Sequence, residues 1–154
     1  MSHAQKECVW DYPCPPRIES VRSHVQVVYN GEVIADSQRA LRVLTISHPP
    51  NYYFPRGDVR LECLRPSAYA STCEWKGIAR YFDVVVCGRQ TMQGAWTFPS
   101  PEPGYELLAG HYAFFPSRMD ACFVDGQRVV ATPGDAHGGW VTPDVLGPFG
   151  PAGR

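Results

Sequence analysis

The stretch Val25-Gln26-Val27-Val28-Tyr29-Asn30-Gly31-Glu32-Val33-Ile34-Ala35-Asp36 decides the fold class. Two runs of β-branched and aromatic residues flank Asn-Gly, the pair that supplies both positive φ values of a type I′ turn, so the stretch predicts a β-hairpin. Asp125-Gly126, set between Ala121 to Val124 and Gln127 to Ala131, repeats that turn chemistry and predicts a second hairpin. Between the two, Leu41 to Ile46 is strand-like. Ser47-His48-Pro49-Pro50-Asn51 should end it in a loop carrying a histidine, because a residue before proline is pushed out of helical geometry. Val59, Leu61 and Cys63 alternate with Arg60, Glu62 and Leu64 at period two, which predicts a strand with Arg60 and Glu62 on one face. Ile78 to Val86 is crowded with β-branched and aromatic residues, as in a largely buried strand at the centre of a sheet. Gly88 to Gly94 reads as a polar loop, Ala95 to Phe98 as a short strand, Glu106 to Gly110 as one helical turn and His111 to Phe115 as a strand.

These elements sum to an all-β chain of about eight to ten short strands, the spacing of an antiparallel sandwich or barrel-like domain. The 154 residues suffice for one core, and the 14 glycines and 15 prolines are spread between apolar segments as turn punctuation. Residues 1–23, with Trp10-Asp11-Tyr12-Pro13 and Cys14-Pro15-Pro16, read as an extended N-terminal arm, residues 24–131 as the β domain, and residues 132–154 as a Gly/Pro-rich tail. Trp140, Val145, Leu146 and Phe149 are the apolar residues by which that tail would be anchored.

A formal net charge of −1 provides no overall positive field for nucleic acid or anionic lipid, and no apolar run is long enough to cross a bilayer. Met1 to Trp10 lacks the pattern of a secretory signal, which makes the cytoplasm the expected location and free thiols the expected state of the six cysteines.

Several segments together resemble the DUF427 family, in its longer bacterial version. They are Val27 to Ser37, Ser47-His48-Pro49-Pro50-Asn51-Tyr52-Tyr53-Phe54-Pro55, Cys73-Glu74-Trp75-Lys76-Gly77 and Ala95-Trp96-Thr97-Phe98-Pro99, with Trp10-Asp11-Tyr12-Pro13 and Gly138 to Phe149 at the two ends. The resemblance implies a compact β domain of unassigned biochemistry, which some classifications call nucleotidyltransferase-like. The family pattern has a glutamate after the third strand, where this chain has Thr45, and often a proline in place of Glu74, so a carboxylate mechanism does not carry over. The sequence contains neither an Asp-x-Asp pair nor a Gly-rich loop ending in Lys-Ser/Thr, the usual equipment for metal-assisted nucleotidyl transfer.

Cys73 and Lys76 are the sharpest chemical pair, since an ammonium beside a thiol stabilises the nucleophilic thiolate and a desolvated lysine is itself a base. Three residues apart, they would point to opposite faces of a regular strand and meet only if Trp75 to Gly77 forms a bulge or turn. Tyr53 and His48 are the candidates for moving protons. Trp75, Trp96, Tyr81, Tyr112 and Arg60 are the candidates for lining and charging a small-molecule pocket. Tyr52 and Tyr53, being adjacent, cannot share a face. His48, His111 and His137 have no spacing that makes a local metal site, so neither a metal nor a cofactor is expected. The sequence thus points to a domain that binds a small anionic or carbonyl-bearing metabolite and leaves catalysis through Lys76 and Cys73 open. The alternatives are an interaction domain acting as a homodimer or with a partner, and a nucleotide-handling protein.

Overall fold

In the computed structural model, which describes residues 6–150, the Asn30-Gly31 turn has φ values of 50° and 80° and Asp125-Gly126 has 49° and 78°, so both predicted hairpins form. Residues 1–5 of the arm and 151–154 of the tail lie outside the described residues. The strands in chain order are β1 (Glu7–Cys8), β2 (Arg17–Ser20), β3 (Val25–Tyr29), β4 (Glu32–Ser37), β5 (Leu41–Thr45), β6 (His48–Pro55) and β7 (Leu64–Cys73). They continue with β8 (Gly77–Val86), β9 (Arg89–Thr97), β10 (His111–Phe114), β11 (Ala121–Val124), β12 (Gln127–Arg128) and β13 (Val145–Leu146). A seven-stranded antiparallel sheet has the order β2-β5-β6-β10-β9-β8-β7, and a four-stranded sheet the order β12-β11-β3-β4. The architecture is all-β with two main sheets and is not a closed barrel.

The large sheet has apolar side chains on both faces. One face carries Tyr52, Phe54, Val84 and Phe114, which share a core with Val25, Val27, Tyr29 and Ile34 of the small sheet. The other carries Leu41, Val43, Tyr53, Ala79, Trp96 and Ala113, packed against Phe98, Tyr105, Leu108 and Phe115 from the connecting segments. Tyr52 and Tyr53 therefore point to opposite faces, as adjacent strand residues must, yet both are buried because each face has its own cover.

Four local expectations are corrected. His48 starts a strand rather than sitting in a loop. Pro49 and Pro50 are accommodated where the β5–β6 register shifts between Val43 and Thr45, a place where ladder bonds are broken and missing N–H groups cost little. Residues 59–64 are not a strand before Leu64: Val59 makes an isolated bridge to Ala35, and Leu61–Cys63 is a 3₁₀ turn with Cys63 N–H donating to Arg60 O at 3.0 Å, so Val59 and Cys63 are buried all the same. The loop expected at Gly88 to Gly94 shrinks to Cys87-Gly88, with φ 48° and 83°, and the rest belongs to β9. Finally, β8 lies next to the edge strand β7, and β10 takes the centre of the sheet.

The two ends of the described chain are tied to the body. Arg17–Ser20, read as part of an extended arm, pairs with β5, and Glu7–Cys8 runs parallel to Val145–Leu146. Glu7 holds Arg42 in a two-pronged ion pair at 3.0 and 2.9 Å and accepts from Tyr12 Oη at 2.9 Å, while Arg42 Nε also donates to Glu19 at 3.0 Å. The Arg42 hydrogen bonds hold the Glu7 carboxyl below its ordinary value of 4.5 despite partial burial. A carboxyl lowered on folding contributes stability that is present above the ordinary value and is lost as the pH falls through the folded one. The melting temperature of wild-type protein should thus exceed that of Glu7→Gln at pH 6, and the gap should close as the pH drops below about 4. A gap that stays constant down to pH 3 would show that the carboxylate charge is not what holds the arm.

Candidate functional site

The covered face of the large sheet leaves a chamber of about 410 Å³. Its walls come from strands, turns and both ends of the chain. β6 supplies Tyr53 and Asn51, with His48 at its start, and β9 supplies Trp96. β8 supplies Tyr81 and Ala79, and the β7–β8 hairpin supplies Cys73, Trp75 and Lys76.

Cys73 pairs with Gly77, leaving Glu74-Trp75-Lys76 as the connection between β7 and β8. This turn resolves the spacing problem, because Cys73 closes the ladder, Lys76 leaves it in the connection, and both line the chamber. Gly77 has φ 105°, a value that favours glycine, and Lys76 O accepts from Glu102 N–H at 3.0 Å, which ties the hairpin to the proline-rich connection after β9. The Lys76 ammonium stands 5.8 Å from the centre of the Phe98 ring.

The aromatic residues form one connected set. Trp96 Nε1–H donates to Tyr53 Oη at 3.2 Å, and Trp96 lies 4.7 Å from the Phe115 ring. Tyr81 stacks on Phe115 at 6.4 Å and shares a 2.9 Å hydrogen bond with Ser71 Oγ. Tyr69 leans on Tyr81 at 4.9 Å from the rim. It gets there because the β7–β8 register shifts between Pro66 and Ala70, pushing residues 67–69 out of the ladder.

The electrostatics are one-sided. Lys76 is the only Lys, Arg, Asp or Glu among the described residues lining the chamber. His48 and His137 face each other with ring centres 4.4 Å apart. Burial and the neighbouring His137 lower the His48 pKa, and burial and Lys76 lower that of His137, so both rings are neutral at pH 7. Burial raises the Tyr53 phenol above its ordinary range, which keeps it protonated. The chamber therefore combines stacking surface with one fixed positive charge, neutral imidazoles able to accept a proton and a phenol.

Of the residues singled out in the sequence, Lys76, Cys73, Tyr53, His48, Trp75, Trp96 and Tyr81 lie together here, and Arg60 and Tyr112 do not. Arg60 is on the outer surface, paired with Glu32 at 2.9 Å and Glu62 at 3.4 Å. Tyr112 is on the opposite face of the sheet, edge-on to Phe82 at 5.5 Å. Sequence reading missed Tyr69, Asn51 and Phe115 as wall residues and weighed His137 only as a metal ligand. The density of Asp135-Ala136-His137-Gly138-Gly139-Trp140 was the available signal for the last. Among the described residues no group of three or more His, Cys, Asp or Glu side chains is placed to hold a metal, all six cysteines are unpaired, and no helix is long and apolar enough to cross a membrane.

A family model described as a domain of unknown function (DUF427) matches residues 17–125. No curated protein matches the chain. Pro16, Ala136 and His137 of the chamber wall thus fall outside the matched span, and the other lining residues fall inside it.

Proposed function

This chain belongs to the DUF427 family, and from the chamber it builds we propose that it binds a small organic anion with a planar or aromatic body. The observation that carries the reading is the pairing of an aromatic wall, chiefly Tyr53, Tyr81, Trp96 and Trp75, with the Lys76 ammonium, the one Lys, Arg, Asp or Glu side chain among the described residues of the lining. Rings of this kind accept a flat apolar ligand on their faces, and one charged group fixes which end enters. A polyphosphate is a poorer fit, since it is commonly cradled by several backbone N–H groups and cations, and the chamber offers one ammonium.

The same walls hold a set of groups suited to acid–base chemistry on a carbonyl or carboxylate. Lys76 would neutralise the developing or resident charge, His48 would accept a proton, Tyr53 would donate a hydrogen bond and Cys73 would present its thiol. Whether turnover accompanies binding is decided by experiment: full activity in a Cys73→Ser variant, in any reaction found, removes the nucleophilic role.

Binding is tested by calorimetry with 2-naphthoate and its neutral isostere 2-naphthamide. Lys76→Met should weaken naphthoate by about tenfold or more, the value of a charge-assisted hydrogen bond, and change naphthamide by less than about threefold. Equal losses for both ligands would mean that Lys76 acts by shape and not by charge.

A further inference from the structure

His137 is the chamber residue whose polar atoms are least accounted for. Its Nε2 is buried and has no hydrogen-bond partner among the described residues, although a shielded polar atom is normally paired. The main chain that carries it is held firmly: Asn51 Nδ2–H donates to His137 O at 2.7 Å, and Gly138 packs so closely on Trp96 that a Cβ there would lie 2.8 Å from Trp96 Cζ3. The ring is thus presented to the chamber from a fixed backbone. Three groups that can carry charge surround it. Lys76 faces it from the β7–β8 turn, and His48 faces it from β6 at 4.4 Å between ring centres. Asp135 lies on its own segment, with Oδ2 accepting from Ser117 N–H at 3.0 Å.

We propose that His137 is a ligand-binding residue: when a planar organic carboxylate seats on Lys76, the imidazole takes up one proton from solution and donates Nε2–H to a carboxylate oxygen. The inference rests on the reading of the chamber as an anion site and deepens it by naming the second partner of the anion. Atoms and charge balance, since one carboxylate and one proton enter and nothing leaves. In the empty chamber the Lys76 ammonium opposes an imidazolium at His137, and the Asp135 carboxylate, already accepting from Ser117 N–H, offsets that repulsion only in part. With a carboxylate between them, each cation faces an anion, and the repulsion that opposes protonation is replaced by attraction. A carboxylate suits two donors placed on either side of it, because its two oxygens can each accept one.

Such a site couples binding to pH. Calorimetry of 2-naphthoate at pH 7.5 in HEPES and in Tris, whose ionisation heats differ, should show uptake of close to one proton per ligand. Affinity of the wild-type protein should rise by nearly tenfold as the pH falls from 8 to 7. In His137→Gln the uptake should vanish and the affinity become independent of pH, whereas His48→Gln should keep the uptake. The wild-type pH series stands without any variant, so a misfolded substitution does not decide the outcome. Binding of naphthoate by wild type with no proton exchange overturns this inference and leaves the anion site intact. Uptake lost in His48→Gln but kept in His137→Gln assigns the proton to the other ring and also overturns it. Failure of naphthoate to bind at all overturns the reading of the chamber, and this inference with it.

Discussion

Replacing Trp140 with alanine should cost about 3–5 kcal/mol of folding stability, the range for truncating a fully buried aromatic residue. Trp140 is 0% exposed and sits between Tyr52 at 5.0 Å and Phe54 at 6.0 Å, on the face of the large sheet that packs against the small one. Its Nε1–H donates to Phe114 O at 3.2 Å, and its main-chain N–H donates to Pro50 O at 2.8 Å. The indole therefore pins a segment with little secondary structure of its own to the strand that carries His48 and Tyr53. For a domain of this size the loss corresponds to a drop in melting temperature on the order of 10 °C. The consequence reaches across the sheet, because the segment just before Trp140 supplies Ala136 and His137 to the chamber. Thermal unfolding and naphthoate binding should fall together in Trp140→Ala, and Trp140→Phe should recover part of both. A melting temperature within about 3 °C of wild type would show that the tail is not anchored by this residue.

The second large effect is expected at Gly138, where stability and binding can be separated. Its φ is 67°, and a Cβ built there would meet Trp96 at Cη2 and, at 2.8 Å, at Cζ3. Trp96 has little room to yield, being packed on Phe115 and hydrogen-bonded to Tyr53. Gly138→Ala should therefore cost about 2–4 kcal/mol, combining positive-φ strain with overpacking, and should lower naphthoate affinity by displacing either Trp96 or the His137 segment. Gly126→Ala is the matching control. It shares the positive φ, at 78°, but has nothing within 4 Å of the added carbon, so it should cost only about 1 kcal/mol and leave binding unchanged. Equal effects of the two substitutions would mean that the contact with Trp96 has no part in shaping the chamber.

Which features were legible in the sequence follows from how local their causes are. Asn30-Gly31 and Asp125-Gly126 set their turns by their own φ preferences, so those hairpins could be read directly. The opposite orientation of Tyr52 and Tyr53 follows from the two-residue period of a strand. What the alternation did not reveal is that each face has its own cover, since that depends on which strands pair. The alternation over residues 59–64 marks burial and not a strand, because an isolated bridge from Val59 to Ala35 and a 3₁₀ turn at Cys63 bury the two residues as an alternating strand would. Pro49 and Pro50 misled for a different reason: the signal that a proline disfavours regular pairing was correct, and the structure answers it with an irregularity in the ladder instead of a loop. At the site, the glycine after Lys76 announced that the strand would break there, which is the condition for Cys73 and Lys76 to share a cavity. Arg60 and Tyr112 carried no such marker of place, because charge and ring type do not say which face of which sheet a residue occupies. Tyr69 and His137 reach the chamber through a register shift in β7 and a long return of the tail, both of them products of pairing across the whole chain.

The chamber walled by Tyr53, Tyr81 and Trp96 and charged by Lys76 is expected to receive a planar organic anion. The four tryptophans, Trp10, Trp75, Trp96 and Trp140, offer a direct test, because each indole N–H gives its own proton–nitrogen NMR signal. Trp75 and Trp96 line the chamber, whereas Trp10 Nε1–H donates to Pro148 O at 2.6 Å on the surface and Trp140 is buried on the other face. Titration with 2-naphthoate should move the Trp96 and Trp75 signals along one saturable curve, leave Trp10 and Trp140 in place, and be weakened in Lys76→Met. Saturable binding that leaves Trp96 unmoved, or no saturable shift of any indole, would contradict the account.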